Sequence, residues 1–389
     1  MFITSIIFLN FEHHQMYIRV NRLRVLLLLL LLPPVRQAQA QHLDRWEAGI
    51  NLGYNLARYR TTYLFESPIP YSFQASWQHP LYAQKKLRQR YGMFDAGVLL
   101  LYHDFRKPEL GRNYSVYATG SFYLNRPATP WQWVFRLGMG LAYNTHPYDA
   151  HSNTKNQLFG SHWLFPFNAG FYLYAPPIAE NWRFWTAFTV YHYSNGNLRA
   201  PNFGANLPGL SFGLAYMPPV RDKFSAAGLP DTPPAWIWTA GMRFGFNQSD
   251  FTGSKVYPFF IPALSAERVF NFRHRVIITA ELFVSYFLRE QIRYIYYTYP
   301  EEGLRKIPDF KRAGLYVAHE FHYGSFGIDL GMGYYFYYPY RFESRAYSRL
   351  GLRFFAGRHW RLHYGVKVHS FSRAEALELG VEYQFGKNR

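Results

Sequence analysis

The sequence predicts an all-β protein, a transmembrane antiparallel β-barrel of about 14 strands within a range of about 12–16. Three observations lead there. Aromatic residues make up 21% of the chain, with 34 Tyr and 36 Phe, far above globular usage. Segments of alternating apolar and small or polar residues recur between turns, which is how a strand meets lipid on one face and a filled lumen on the other. A short leader at the front has the character of a secretory signal rather than a membrane anchor.

The leader explains itself residue by residue. Residues 1–15 have no evident role, and Met16 reads as the start. Arg19, Arg22 and Arg24 form a basic region, Val25 to Leu32 an apolar one, and Ala38-Gln39-Ala40 a small-x-small processing site. The apolar run is too short to cross a bilayer. Two regions are therefore expected: a leader over 1–40, cleaved after Ala40, and a barrel over 41–389. Cysteine is absent, so neither disulfides nor thiol chemistry contributes. The net charge is +18, and the four Arg and one Glu of the leader account for only three of those charges. A secreted chain this basic points to an anionic membrane surface in preference to nucleic acid.

From Trp46 the strand pattern begins. Glu47 to Tyr54 alternates, and similar runs cover 93–102, 114–124, 133–143 and 163–174. Within 133–143, Phe135, Leu137, Met139, Leu141 and Tyr143 share one face, while Arg136, Gly138, Gly140 and Ala142 share the other. The second half repeats the pattern over 236–246, 259–270, 276–287, 315–323, 326–336, 350–355, 360–368 and 377–385. Leu379, Val381, Tyr383 and Phe385 alternate outward in the last of these, and Gly386 to Arg389 trail behind it. Tyr294–Tyr299 and Tyr334–Tyr338 suit the aromatic girdles of a barrel. Lys85 to Arg90 is the densest basic run and reads as a solvated loop, with a grip on anionic headgroups as the alternative. Pro218-Pro219 and Pro233-Pro234 flank Val220–Thr232, which reads as a loop rather than a domain boundary. His319 and His322 fall on opposite faces of a strand, so that pair is structural.

One stretch carries chemistry. His192-Tyr193-Ser194-Asn195-Gly196 ends a strand whose more aliphatic parity holds Phe184, Thr186, Phe188, Val190, His192 and Ser194. An imidazole and a hydroxyl two residues apart on a strand share a face, the minimum needed to activate a serine. The following segment, 206–216, places Asn206, Leu210, Phe212, Leu214 and Tyr216 on one face. If 195–205 is a hairpin loop, Asn206 lies opposite His192 with Cβ atoms roughly 5 Å apart. Three polar groups then converge on the outside of the barrel, at the edge of its apolar band, where an unpaired polar group is costly. The bland alternative is that the trio tops the barrel at headgroup level.

These residues carry a resemblance. His192-x-Ser194-Asn195 followed by Pro201-Asn202-x-Gly204 resembles the motif of the outer-membrane lipid A 3-O-deacylases, the acyloxyacyl-hydrolase-like barrels. Gly160-Ser161-His162 and the strand after it are similar more loosely. The resemblance implies Ser194 as nucleophile, His192 as general base, and Asn202 with a backbone N–H near Ser194 or Asn195 as the oxyanion hole. It implies hydrolysis of a fatty-acyl ester of lipid A, with Arg199 in the loop suited to a substrate phosphate. The family's third member is a Glu fourteen residues after the His, and here that place holds Asn206. A Ser-His-Asn set inside His-x-Ser-Asn-Gly also resembles outer-membrane phospholipase A, which uses calcium and works as a dimer.

Three functions therefore compete: a lipid A esterase needing no cofactor, a calcium-dependent phospholipase of the same geometry, and a non-catalytic structural or pore barrel. The substrate partners implied are lipopolysaccharide or phospholipid, the compartment is the bacterial outer membrane, and the oligomeric state is left open. Geometry separates the enzymes from the third reading, because a hydrolase needs His192 and Ser194 outside the lumen and Asn206 beside them.

Overall fold

In the computed structural model, residues 44–54, 69–84, 87–89, 92–125, 129–218, 234–248, 254–299, 301, 306–369 and 373–385 are described. The expected leader, half of the basic run at 85–90, most of the proline-flanked segment and the last four residues lie outside them. Among the described residues there are seventeen strands, β1 (Arg45–Gly53), β2 (Tyr71–Pro80), β3 (Phe94–Asp104), β4 (Arg112–Tyr123), β5 (Gln132–Asn144), β6 (Trp163–Leu164), β7 (Phe167–Ala179), β8 (Trp182–Tyr193), β9 (Ala205–Tyr216), β10 (Ala235–Gln248), β11 (Val256–Val269), β12 (His274–Ser285), β13 (Arg312–Tyr323), β14 (Phe326–Tyr337), β15 (Ala346–Ala356), β16 (Trp360–His369) and β17 (Arg373–Phe385). A helix, α1 (Tyr286–Thr298), follows β12.

The strands form two barrels rather than one. In the first, β1 pairs with β2 and β9, and the ladder β1-β2-β3-β4-β5-β7-β8-β9 closes on itself through eight antiparallel pairings. The second closes β10 to β17 in sequence order, with β10 paired to β17. The expectation of a single barrel of about 14 strands is thus corrected to two of eight. Alternation along a chain marks strands but says nothing of which edge each strand closes on. The proline-flanked segment, expected as a loop within one barrel, instead joins Tyr216 of the first barrel to Ala235 of the second.

Eight strands leave a bore only wide enough for side chains. In the first barrel Arg136 and Glu47 meet through two bonds of 2.8 and 2.9 Å, joined by Tyr174 and Ser76, and Arg45 pairs with Asp95 at 2.9 Å. The second barrel is filled by a denser network: Arg349 with Glu281 and Glu378, Arg353 with Glu320, Glu267 and Glu382, and Arg243 with Glu281. Each buried charge would be expensive alone and is matched by an opposite one. These lumens are packed, which removes the open bore a diffusion pore needs.

The outer faces carry the expected parity. Phe184, Phe188, Leu210, Phe212, Leu379, Val381 and Phe385 are exposed, while Trp185, Ala187, Tyr191 and Tyr193 point inward. His319 and His322 take opposite faces, as their spacing requires. The strand β2 gave little apolar signal because its inward parity is Ser72, Gln74, Ser76 and Gln78. The stretch Tyr294–Tyr299 was expected at a strand girdle and instead lies largely in α1. Ser285 caps that helix by accepting from Leu288 N–H. Phe287 and Leu288 then close over Phe259, Phe283 and Tyr335 at the barrel mouth, leaving Tyr294 and Tyr297 on the free side.

The short connections at 180–181, 270–273, 324–325 and 357–359 share one end, and the long connections 145–166, 194–204 and 286–311 lie at the other. The barrels lie side by side in the same sense. Phe94 stacks on Tyr323 and Phe122 meets it edge-on at one end, and Phe165 meets Tyr364 toward the other.

Candidate active site

The site forms where β8 ends and β9 begins, at the long-loop end of the first barrel. The β8–β9 ladder pairs His192 directly with Asn206. Both side chains take the outward, lipid-facing parity. The imidazole Nδ1 lies 2.8 Å from Asn206 Oδ1. An amide oxygen can only accept, so Nδ1 carries the proton and Nε2 is left as the basic nitrogen.

Ser194 follows one residue beyond β8. Its hydroxyl Oγ accepts the Gly196 N–H at 3.0 Å, and its carbonyl accepts the Phe165 N–H at 2.7 Å. Backbone and side chain are thus both fixed. His192 Cε1 and Ser194 Cβ each lie 3.4 Å from the point where a side chain on Gly204 would begin. Position 204 suits glycine because its φ is +68° and an added Cβ would stand 2.9 Å from the Tyr193 carbonyl.

The loop between the two strands is braced from inside. Asn195 is fully buried and donates from Nδ2 to Ser161 Oγ at 3.1 Å and to the Arg199 carbonyl at 2.6 Å. Asn202 Oδ1 accepts the Asn195 N–H at 2.9 Å. In this arrangement the Asn195 N–H and side chain are committed to the loop. Asn202 spends its oxygen there too, which leaves its Nδ2 group as the donor with freedom to serve elsewhere. Of the backbone amides around the serine, it is the one on Gly196 that points at the hydroxyl oxygen. Arg199 is exposed, and among the described residues no carboxylate pairs with its guanidinium.

The segment 157–165, which the sequence tied only loosely to the motif, forms the floor of this loop. Phe203 N–H donates to Gln157 and Gly204 N–H to Leu158, at 3.2 and 3.1 Å. Gly160 sits so close to the loop that an added Cβ would stand 2.4 Å from the Arg199 carbonyl and 2.5 Å from that of Pro201. His162 stacks on Tyr143 and bonds the Asn144 carbonyl at 2.8 Å. Farther along the same connection, the exposed Asp149 carboxylate is held below its usual range by the N–H groups of Ser152 and His151.

A serine–histidine hydrogen bond elsewhere in the first barrel shows that such a contact alone does not make a site. Ser72 Oγ and His103 Nδ1 lie 2.5 Å apart, but both residues are wholly buried inside the first barrel. No ester reaches them there. His192 and Asn206 instead take the outward parity and are half-buried, with Ser194 buried beneath the loop next to them.

Comparison with known proteins gives the following. Residues 71–215 match the family described as lipid A 3-O-deacylase (PagL). Residues 235–388 match the family described as the acyloxyacyl hydrolase C-terminal domain. No match was found among curated proteins. Among solved structures, the chain is similar to the outer membrane enzyme PagL at 17% identity, over 46% of this chain and 99% of that one, with a TM-score of 0.30. It is also similar to a Rhodopseudomonas blastica porin triple mutant at 8% identity, over 88% of this chain and 99% of that one, with a TM-score of 0.19.

Proposed function

We propose, from the match of residues 71–215 to the lipid A 3-O-deacylase family and of residues 235–388 to the acyloxyacyl hydrolase C-terminal domain, that this outer-membrane protein hydrolyses a fatty-acyl ester of lipid A with Ser194 as nucleophile. The observation that carries this reading is the outward-facing His192–Asn206 pair beside Ser194, on a wall otherwise built of apolar side chains.

On this reading His192 Nε2 takes the Ser194 proton as Oγ bonds to the ester carbonyl carbon. The proton then passes to the departing alcohol oxygen of the lipid as the acyl–oxygen bond breaks, and water hydrolyses the acyl-enzyme by the same route. The Gly196 N–H and Asn202 Nδ2 supply the donors for the oxyanion, a role worth about 3 kcal/mol for one good donor. Asn206 holds the imidazole in its productive tautomer, and Arg199 faces a substrate phosphate. Asn195 supports the hole through the loop.

No step is routed through a metal. Among the described residues, the carboxylate and imidazole groups gathered closely enough to hold an ion are Glu343, His369 and Glu375, and Arg312 and Lys367 already pair with their oxygens. Asn206 in place of a carboxylate favours a second reading, a phospholipase with the same nucleophile.

The test is a mass spectrum of lipid A from cells producing the protein, with and without the Ser194 hydroxyl. Loss of one 3-hydroxyacyl group in wild type and its retention with Ser194→Ala is expected. The same loss with Ser194→Ala would remove Ser194 from the mechanism, and fatty acid released from phosphatidylethanolamine instead would favour the phospholipase.

A further inference from the structure

The second barrel holds the loop that follows Ser194. Pairing between β10 and β17 runs from Trp238 and Phe385 as far as Phe244 and Leu379, although β10 itself continues to Gln248. Beyond that point the loop of the first barrel takes over the backbone groups of the seam. Leu377 N–H donates to the Gly196 carbonyl at 3.2 Å, and Gln248 N–H donates to the Asn197 carbonyl at 3.3 Å. Asn197 Nδ2 returns bonds to the Glu375 carbonyl at 3.2 Å and the Gln248 carbonyl at 3.4 Å. Gln248 Oε1 accepts the Ala200 N–H at 2.7 Å, while its Nε2 donates to the Ser254 carbonyl. Gln248, Glu375 and Leu377 are all buried.

We infer that the second barrel is a positioning partner for the catalytic loop, acting through Gln248 and the Leu377 N–H to hold Gly196 against the nucleophile. The inference rests on Ser194 being that nucleophile. The reasoning is local. Gly196 presents its N–H to Ser194 Oγ and its carbonyl to Leu377, so the residue that touches the reactive oxygen is anchored on its far side by another barrel. Buried backbone groups need partners, and here the partners of one barrel's seam are the loop of the other. A loop fixed at both ends on β8 and β9, and in its middle on β10 and β17, keeps the donor aimed without reorganising during the reaction. The first barrel supplies every group placed at the ester, and the second supplies the rigidity of one of them.

The experiment uses the full chain and a fluorophosphonate probe, which phosphonylates an activated serine without needing the lipid. Labelling of Ser194 is timed for wild type, Gln248→Ala, Gln248→Glu and Asn197→Gly, alongside kcat, KM and thermal unfolding in detergent. Asn197→Gly removes the side-chain tie at no backbone cost, since Asn197 has φ of 66°. Gln248→Glu keeps an oxygen for the Ala200 N–H. Labelling and kcat about tenfold slower in Gln248→Ala and Asn197→Gly are expected with KM unchanged, the scale of one buried hydrogen bond, and Gln248→Glu is expected to be slowed as well, because its second oxygen meets the Ser254 carbonyl where a donor is needed. Wild-type labelling rates in both Gln248→Ala and Asn197→Gly would overturn the inference while leaving Ser194 as nucleophile. A wild-type chain that neither labels nor hydrolyses would overturn both. If Gln248→Ala fails to fold, the Asn197→Gly rate decides.

Discussion

Asn206 Oδ1 sits 2.8 Å from His192 Nδ1, directly across one rung of the β8–β9 ladder. Orientation and tautomer of the imidazole are thereby set by a neutral group. A carboxylate in the same place would add a charge to stabilise the imidazolium, and the amide does not. Asn206→Ala is expected to lower kcat about 10²-fold with little change in KM, since it frees the ring. Asn206→Glu, which restores the residue of the deacylase motif, is expected to match or exceed wild type. Steady-state hydrolysis of purified lipid A in micelles measures both, and an unaffected Asn206→Ala enzyme would rule out the orienting role.

Asn202 separates positioning from oxyanion stabilisation. Asn202→Asp keeps an oxygen for the Asn195 N–H but loses the Nδ2 donor. The loop should stay in place while kcat falls about 10²–10³-fold, the usual cost of one oxyanion donor. Full activity in Asn202→Asp would transfer that role to the backbone alone.

Gly160 has no room for a methyl group beneath the loop. Gly160→Ala is expected to displace residues 199–201, lower stability by about 1–3 kcal/mol and reduce activity with it. Unfolding in detergent together with hydrolysis reads both. A variant as stable and active as wild type would show that the floor yields without disturbing Ser194.

The lumens should behave as packed cores. Arg136→Met strands Glu47 inside the first barrel and is expected to cost about 3–5 kcal/mol, whereas Arg136→Met with Glu47→Leu should recover much of it. Thermal unfolding of the single and double variants gives the comparison. Planar-bilayer recordings of the wild-type protein should show no steady conductance, and an open-channel current would contradict the filled bore.

Much of this was legible in the sequence because a strand has a period of two. Parity alone assigned Phe184, Phe188, Leu210 and Phe212 to lipid and placed His192 and Asn206 on the same outer face. A fourteen-residue separation with turn residues between them then made them cross-strand partners. The hydrogen bond at 2.8 Å is the outcome of that register. The helix at Tyr286–Thr298 was not legible, because an aromatic run of the same composition serves equally at a strand girdle.

What the chain could not disclose by pattern was closure. Each strand's alternation is a local property, whereas the choice of β9 to pair with β1, and of β17 to pair with β10, joins residues about 170 and 150 positions apart. The sequence by itself determined a β-barrel wall with a His, a Ser and an Asn at its outer edge. Tertiary structure decided that there are two barrels of eight, that their bores are filled by paired charges, and that Gly196 is held between Ser194 and Leu377. That last relation spans both barrels, and only folded backbone groups seeking partners across a seam could create it.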